Sequence, residues 1–285
     1  MEQEALTKQF QEHILKVFKF TVDFLERHNL RYVACGGTVL GAVRHNDFIP
    51  WDDDIDIYLP REDYDKLLTM KEEMQKEGFD VLSLNDRGYY LPFAKVSDMN
   101  TTLWEQQEFP FLMGIYVDLF ALDNFSGTDE EITAIQRRSL KKFYNYQKSV
   151  NHSKTCDLWR DLLNGRFKVA IEKLQIALSR PLRKCLLQRF LNYQQLYSSF
   201  DGDKSVCVTQ WVGRIFKREW FEDVIDYPFG DITVKIPRDY DGYLRCLYGN
   251  YMMLPPVEQR CSEHNHLYVN FDKGVVPPHF PKYYI

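Results

Sequence analysis

The sequence predicts an α/β or α+β fold with a helical segment inserted into it. Three observations lead to this prediction. Residues 5–28 place apolar side chains at helical spacing, residues 31–121 alternate short β-like runs with helical or turn segments, and residues 129–200 lose the strand pattern before it returns. The 285 residues are enough for one large core, or for one domain with a substantial insertion.

The elements follow one another in a regular order. The helix at 5–28 has its apolar residues on one side, which predicts that it packs on the core. The strands expected next are 32–35, 54–59, 79–84, 93–96 and 115–121, and after residue 201 they are 206–208 and 232–236, followed by a helix at 240–248. We therefore divide the chain into a core with an N-terminal helix at 1–128, a basic helical insertion or subdomain at 129–200, and a C-terminal return to the core at 201–285.

The formal net charge of -5 conceals an uneven distribution. Residues 137–193 hold 14 Lys or Arg and three acids, a net +11, so the rest of the chain carries -16. Such a block indicates a phosphate-bearing substrate, a membrane surface or nucleic acid as partner, or simply a solvated helical face. Residues 180–193 (RPLRKCLLQRFLNY) have the composition of an interfacial helix, which predicts peripheral contact with the inner face of a membrane. The alternative is a helix whose apolar face packs on the core.

Several classes of protein are disfavoured. No stretch approaches the roughly 18 consecutive apolar residues of a membrane span, and the N-terminus lacks the basic start and apolar run of a signal peptide, so we expect a cytoplasmic location. The six cysteines lie far apart without a CxxC pair, which predicts neither a zinc site nor a disulfide framework.

The most informative stretch begins with a glycine pair. Gly36 and Gly37 follow a predicted strand and allow a tight turn, and Thr38 is expected to cap a helix from about 39 to 45. A helix N-terminus behind two glycines is a natural phosphate site, because its free N–H groups and positive dipole end face an anion. The alternative is an ordinary turn between a strand and a helix.

Acidic residues close to this turn point to a metal. Asp54 and Asp56 would share one face of a strand, where two carboxylates repel one another unless a cation lies between them. Their oxygen ligands suit Mg²⁺ or Mn²⁺. Asp118, in an otherwise almost wholly apolar strand, is the candidate third ligand. The alternatives are a solvated edge strand for the pair and a salt-bridged carboxylate for Asp118.

Basic residues near the motif are candidates for binding phosphate. Arg44 and His45, at the end of the short helix, could grip a phosphate or could be ordinary surface residues. Lys95 could neutralise a leaving nucleotide, or its stem could pack across the sheet edge.

Other polar residues are given supporting roles. Asp52 and Asp53 are expected in the approach loop, orienting the ligands by hydrogen bonds, and Asp123 is not a preferred ligand. His264 and His266 form a polar cluster that we interpret as surface histidines.

These residues carry a resemblance to a known family. Residues 31–64, 114–123 (GIYVDLFALD) and 243–256 (YLRCLYGNYMMLPP) resemble the LicD family, which includes bacterial phosphorylcholine transferases and, more distantly, fukutin and fukutin-related protein. The resemblance implies a nucleotidyltransferase-like mixed sheet flanked by helices, with a Gly-rich turn and strand-borne aspartates around a metal. Five residues match those roles position by position: Gly36, Gly37, Asp54, Asp56 and Asp118.

The resemblance also implies a reaction. Phosphocholine would pass from CDP-choline to a hydroxyl of a cell-surface glycan or teichoic acid precursor, with the acceptor free or lipid-linked and with no nucleic acid partner. Catalysis and binding of Mg²⁺ or Mn²⁺ would fall to Asp54, Asp56 and Asp118. The expected substrate-binding residues are Gly36, Gly37, Thr38, Arg44, His45 and Lys95. The alternatives are transfer of ribitol phosphate or glycerol phosphate from a CDP carrier, nucleotidyl transfer, and a non-enzymatic scaffold that binds glycan or membrane.

Overall fold

The computed structural model describes residues 2–197, 200–262, 264 and 266–274. The helices are α1 Glu2–Arg27, α2 Gly36–His45, α3 Arg61–Leu68, α4 Lys71–Lys76, α5 Asp129–Val150, α6 Leu158–Leu163, α7 Phe167–Ser179, α8 Arg183–Tyr197, α9 Glu219–Glu222 and α10 Tyr240–Tyr248. The strands are β1 Val33–Ala34, β2 Asp56–Pro60, β3 Phe79–Leu82, β4 Ala94–Asp98, β5 Thr102–Trp104, β6 Tyr116–Phe125, β7 Lys204–Val206, β8 Phe216–Lys217, β9 Val224–Phe229, β10 Ile232–Pro237 and β11 Tyr268–Asn270.

The central sheet is mixed. Its strands lie in the order β1-β2-β6-β4-β3, β2 runs parallel to β6, and the other neighbours are antiparallel. The mixed α/β fold that the sequence predicts is therefore confirmed. The register places Asp56 beside Asp118 and Asp118 beside Lys95, so three charged residues form a row across β2, β6 and β4.

The core is formed by the sheet and by the helix that opens the chain. Apolar residues of α1, including Phe10, Ile14 and Phe18, are buried, and α1 packs over β6 and β4. Strand β6 is buried along nearly its whole length, as expected for a central strand that is covered on both faces.

Residues 129–197 are helical. Thr128 and Glu131 form a reciprocal capping box that begins α5, and α5 then packs against α7 and α8. Pro181 lies in a 3₁₀ turn, Arg180–Leu182, between α7 and α8, as expected for a residue that cannot continue a helix. The division of the chain at 128 and 200 stays a prediction, and residues 198–199 and 275–285 lie outside the described residues.

After residue 200 the chain returns to the sheet. Strand β7 pairs with the end of β6, the β9–β10 hairpin lies beside β1, α10 packs on α2, and β11 pairs with β5. Several boundaries differ from the prediction: the strand expected at 54–59 begins at Asp56, and the one expected at 206–208 spans Lys204–Val206. All six cysteines are unpaired.

Candidate active site

Three carboxylates converge where β2 and β6 begin. Asp56 is the first residue of β2, Asp118 is its register partner on β6, and Asp54 lies two residues before β2. Each offers an oxygen atom, and these atoms lie within 4.8 Å of one another. The backbone N–H of Asp118 donates to the carbonyl of Ile55 (2.9 Å), which fixes the approach loop against β6. The structure therefore brings together the three acids that the sequence singled out. We call Asp54, Asp56 and Asp118 the acid cluster.

The environment of these acids opposes their negative charge. Burial raises the pKa of Asp118 to about 6, although Lys95 acts in the opposite direction. Burial and the neighbouring charge of Asp54 raise the pKa of Asp56 well above its usual range. Carboxylates that are buried together repel one another, and a divalent cation relieves that repulsion. An oxygen-only donor set fits Mg²⁺ or Mn²⁺, so the residues present suit a metal.

Lys95 supplies a positive charge to the cluster. Its Nζ lies 2.7 Å from Asp118 Oδ1 and 3.1 Å from the centroid of the Tyr116 ring. Both Lys95 and Asp118 are buried. The alternative in which the Lys95 stem packs across the sheet edge is wrong, because β4 lies between β6 and β3. Its charge is directed at Asp118, and a role towards a leaving nucleotide stays a prediction.

The glycine pair places the N-terminus of α2 beside the acids. Gly36 adopts a φ of +52°, and its N–H donates to the Tyr243 hydroxyl (3.0 Å). A Cβ on Gly37 would stand 2.8 Å from Asp52 Oδ2. Carboxylates close to the positive end of a helix dipole are stabilised there, and the same field favours a phosphate.

The expected capping role of Thr38 is wrong. The helix begins three residues earlier than predicted, at Gly36, and Cys35 precedes it without a side-chain cap. Thr38 Oγ1 instead accepts a hydrogen bond from the Asp56 N–H (2.8 Å). Thr38 therefore fixes the start of β2, and with it the position of a cluster carboxylate.

Arg44 and His45 lie at the other end of α2. The Arg44 guanidinium donates to the carbonyl of Tyr251 (2.8 Å) and to His45 Nε2 (2.9 Å). Eight residues of helix separate Gly36 from Arg44, a distance of about 12 Å. Burial, together with the charge of Arg44, lowers the pKa of His45. The structure does not bring this pair to the acid cluster, and their phosphate-binding role stays a prediction.

The sequence did not predict that three residues bind the Asp53 carboxylate. We call Ser262, His264 and His266 with Asp53 the Asp53 clamp. Asp53 accepts hydrogen bonds from His264 Nδ1 (2.8 Å), His266 Nε2 (2.8 Å) and Ser262 Oγ (2.7 Å). The interpretation of the two histidines as surface residues is wrong, because both are largely covered and both bind this carboxylate. Burial acts to raise the pKa of Asp53, but these hydrogen bonds hold it well below its usual range.

The clamp also brings a positive charge to the acids. His264 Nε2 lies 3.6 Å from Asp54 Oδ2. Burial alone would lower the pKa of His264, but the bond to Asp53 and the charge of Asp54 raise it to about 9. The imidazole is therefore cationic at neutral pH and faces the acid cluster.

Helix α1 supports the same loop from the other side. Gln11 Nε2 donates to the carbonyl of Asp52 (2.8 Å), and the Phe10 ring stacks on His266 with centroids 4.1 Å apart. Asp52 and Asp53 thus orient the approach loop, the arrangement expected from the sequence.

Two cavities differ in their relation to these acids. One, of about 590 Å³, opens beside Asp118 and His264 and extends to Phe93, Glu105 and Tyr116. Another, of about 930 Å³, lies at the far ends of β2 and β6, beside Pro60 and Leu122, and contains no member of the acid cluster. Of these two cavities, only the smaller one adjoins the acid cluster.

The carboxylate at that far end is neutralised by the protein itself. Asp123 is fully buried and accepts two hydrogen bonds from Arg61, at 2.7 and 2.8 Å. This bidentate pair explains why Asp123 stands apart from the cluster although it lies on the same strand as Asp118.

Most apolar side chains of residues 180–193 pack on the core, which was the alternative to insertion into a membrane. Phe190 is buried, and Leu186, Leu187 and Leu191 pack against the core. Apart from Leu182, which is exposed, the apolar side chains of this segment are therefore not available for insertion into lipid. Among the described residues, no helix is long and apolar enough to cross a membrane.

Comparison with known proteins agrees with this architecture. Residues 29–162 match the family described as LicD/FKTN/FKRP, nucleotidyltransferase domain. The chain is 26% identical over 260 residues to the lipopolysaccharide cholinephosphotransferase LicD of Haemophilus influenzae, covering 88% of this chain and 92% of that protein. Over 45 residues, 16% of this chain and 9% of the other, it is 47% identical to the human ribitol 5-phosphate transferase FKRP. An uncharacterised protein of Rickettsia prowazekii is 37% identical over 68 residues, 24% of this chain and 26% of that protein.

A mixed sheet with this domain match defines a nucleotidyltransferase-like enzyme. More particularly, residues 29–162 match the LicD family domain, and the resemblance seen in the sequence is confirmed. It is a transferase of the LicD type.

Proposed function

We propose that this enzyme transfers phosphocholine from CDP-choline to a hydroxyl of a cell-surface glycan. The observation that carries the proposal is the carboxylate cluster at the start of β2 and β6, in a chain that is related over 88% of its length to a cholinephosphotransferase. The acceptor oxygen forms a bond to the choline-bearing phosphorus, the bond from that phosphorus to CMP breaks, and the hydroxyl proton passes to solvent or to a carboxylate.

In this proposal the carboxylates of Asp54, Asp56 and Asp118 hold Mg²⁺ or Mn²⁺. When bound, such an ion neutralises the donor diphosphate and lowers the pKa of the acceptor hydroxyl. The remaining work is positioning: Lys95 orients Asp118 through their ion pair, and Asp53 holds His264 against Asp54. The N-terminus of α2 would receive the donor phosphates.

The cavity beside Asp118 favours choline among the possible alcohols. Phe93, Tyr116, Glu105 and Glu108 are among the residues that line it, together with the basic Lys95 and His264. Burial acts to raise the pKa of Glu105, but the charge of Lys95 and the hydroxyls of Tyr116 and Tyr90 lower it, so Glu105 carries a negative charge. Aromatic faces and carboxylates together suit a quaternary ammonium group.

Ribitol phosphate is the second candidate, supported by the local match to the ribitol 5-phosphate transferase FKRP. A polyol carries no positive charge, so the carboxylates of the cavity would accept hydrogen bonds from its hydroxyls but would offer it no charge attraction. We expect Glu108→Gln to raise the KM for CDP-choline several-fold and to leave any turnover of CDP-ribitol unchanged. An equal effect on both donors would contradict the assignment of this cavity to choline.

The test of the reaction uses the whole chain with CDP-choline, CDP-ribitol or CDP-glycerol, Mg²⁺ or Mn²⁺, and isolated envelope glycans. Mass spectrometry should show CMP release and addition of phosphocholine to the glycan, both abolished by EDTA and by Asp56→Ala. The matched control, Asp226→Ala, removes an exposed aspartate on β9 and should retain full activity. Attachment of CMP itself to the acceptor would establish nucleotidyl transfer instead, and full activity in EDTA would refute the metal-dependent reaction.

A further inference from the structure

Helix α7 has an apolar stripe that faces away from the protein. Phe167, Ile171, Leu174 and Leu178 recur at positions i, i+4, i+7 and i+11, which places them on one side of the helix. All four are exposed, whereas Ile176 and Ser179 are buried on the other side of the helix and Ala170 is buried at the edge of the stripe. Since α7 already packs on α5, the stripe is a second apolar face that the fold leaves uncovered.

Neighbouring residues enlarge this stripe into a surface. Trp159 and Leu163 of α6 and Leu182 of the turn after α7 are also exposed. We name the whole set the α6–α7 apolar surface: Trp159, Leu163, Phe167, Ile171, Leu174, Leu178 and Leu182, with exposed fractions between 47% and 87%. Single exposed apolar residues are ordinary, but seven in two helices and the turn after them, with Val169 of α7 also exposed, mark an interaction site.

The charges around this surface have one predominant sign. Residues 157–184 contain seven Lys or Arg and three acids. Two of the acids are already used within the segment, because Asp157 pairs with Arg160 and the buried Asp161 pairs with Arg166 and Lys173.

Basic side chains beside the surface remain without an acidic partner. Among the described residues, Lys168, Arg180 and Lys184 have no carboxylate within ion-pairing distance. Arg180 donates to the carbonyls of Asn151 and Ser153, which orients its guanidinium without cancelling its charge.

We infer that the α6–α7 apolar surface docks on an anionic lipid surface. Exposed large apolar side chains with flanking lysine and arginine are the composition of an interfacial membrane contact, in which the apolar groups enter the headgroup boundary and the basic groups meet anionic headgroups. A second copy of the chain fits less well, because a twofold interface would place this basic patch against itself. The surface shares the exposed Leu182 with residues 180–193, but the apolar side chains of α8 (Leu186, Leu187, Phe190 and Leu191) are packed inward and do not belong to it.

This inference does not depend on the proposed reaction, and its test measures binding alone. The intact protein is sedimented with vesicles of phosphatidylcholine, with and without phosphatidylglycerol, at low and high salt. We expect binding to the anionic vesicles that weakens with salt. Phe167→Gln combined with Leu174→Gln should weaken it roughly tenfold or more, since two apolar insertions are lost.

The control variant combines Tyr144→Gln with Leu196→Gln, which removes two exposed apolar side chains from α5 and α8. It should bind like the wild type, and circular dichroism and thermal unfolding should show that both variants are folded. Trp159 offers a second readout: the vesicle-induced blue shift of tryptophan emission should shrink in Trp159→Phe.

Equal partitioning to neutral and anionic vesicles, or unchanged binding by the Phe167/Leu174 variant, would overturn the inference. So would a wild-type protein that ignores vesicles and forms dimers that the same variant separates into monomers, a result that would assign the surface to a second copy. Lys168→Gln combined with Lys184→Gln should reduce anionic binding, and an unchanged salt dependence in that variant would overturn the electrostatic part of the inference.

Discussion

The acid cluster and the α6–α7 apolar surface are opposite departures from the usual distribution of side chains. In the cluster, the like charges of Asp54, Asp56 and Asp118 are held together and partly or fully buried, whereas on α6 and α7 large apolar groups such as Leu163 are exposed. Burying like charges and exposing apolar area both cost free energy in the isolated chain. Each region therefore indicates a partner outside the chain, a cation for the first and lipid for the second.

The largest expected effect concerns the cluster itself. Asp56→Ala or Asp118→Ala should reduce turnover to below roughly 1% of wild type, because a ligand of the metal is lost. Without metal, Asp56→Ala should unfold at the same temperature as the wild type or higher, since a source of repulsion is gone. Mn²⁺ should raise the melting temperature of the wild type but not of this variant, as differential scanning fluorimetry would show. A lower melting temperature for metal-free Asp56→Ala would contradict the comparison.

The buried ion pair of Arg61 and Asp123 lies at the far end of the same sheet. It provides a second test of the comparison between the acid cluster and the α6–α7 apolar surface. Arg61→Leu leaves Asp123 buried without its bidentate partner and should lower the free energy of unfolding by about 3–5 kcal/mol. Urea denaturation measures this loss. Arg61→Leu combined with Asp123→Leu should recover most of it, because no unpaired charge then remains. If the double variant is as unstable as the single one, the loss comes from packing and not from charge.

The Asp53 clamp allows a test of how the approach loop is positioned without changing a metal ligand. Asp53→Asn retains the shape of the side chain but weakens its hydrogen bonds to the two histidines, so we expect Mn²⁺ affinity to fall about 10–100-fold. Calorimetric titration gives the affinity. As a control, Asp226→Asn makes the same change at an exposed aspartate of β9 and should leave the affinity unchanged. An unaltered affinity in Asp53→Asn would assign the clamp to structure alone.

The smallest effect is expected on α6. Leu163 is 87% exposed, so Leu163→Gln should change the free energy of unfolding by less than about 0.5 kcal/mol. The same urea experiment detects it. A loss of several kcal/mol would show that the α6–α7 apolar surface is covered within the folded protein, and it would remove the contrast with the cluster.

Local patterns predicted the elements of the cluster but not its surroundings. Asp54, Asp56 and Asp118 could be found because each interrupts or precedes an apolar run, and because strand alternation determines which side chains share a face. Thr38 was misassigned since the helix start depends on Gly36, whose N–H is held by Tyr243, over 200 residues away in sequence.

The histidine clamp shows a similar limit. A pair such as His264 and His266 has no local periodicity that identifies its partner, and only the pairing of β11 with β5 brings that part of the chain to Asp53. The sequence did not predict that the apolar stripe on α7 is exposed, for another reason. Its apolar spacing is that of an ordinary amphipathic helix, and only the tertiary structure shows which side of that helix is covered.

The contact between Asp53 and His266 also bears on how the enzyme is made. A chain leaves the ribosome N-terminus first, so the acids at 54, 56 and 118 emerge long before the histidines that organise their loop. A nascent polypeptide that stops short of residue 262 contains every carboxylate of the cluster but lacks the clamp. The candidate active site is therefore completed only late in synthesis.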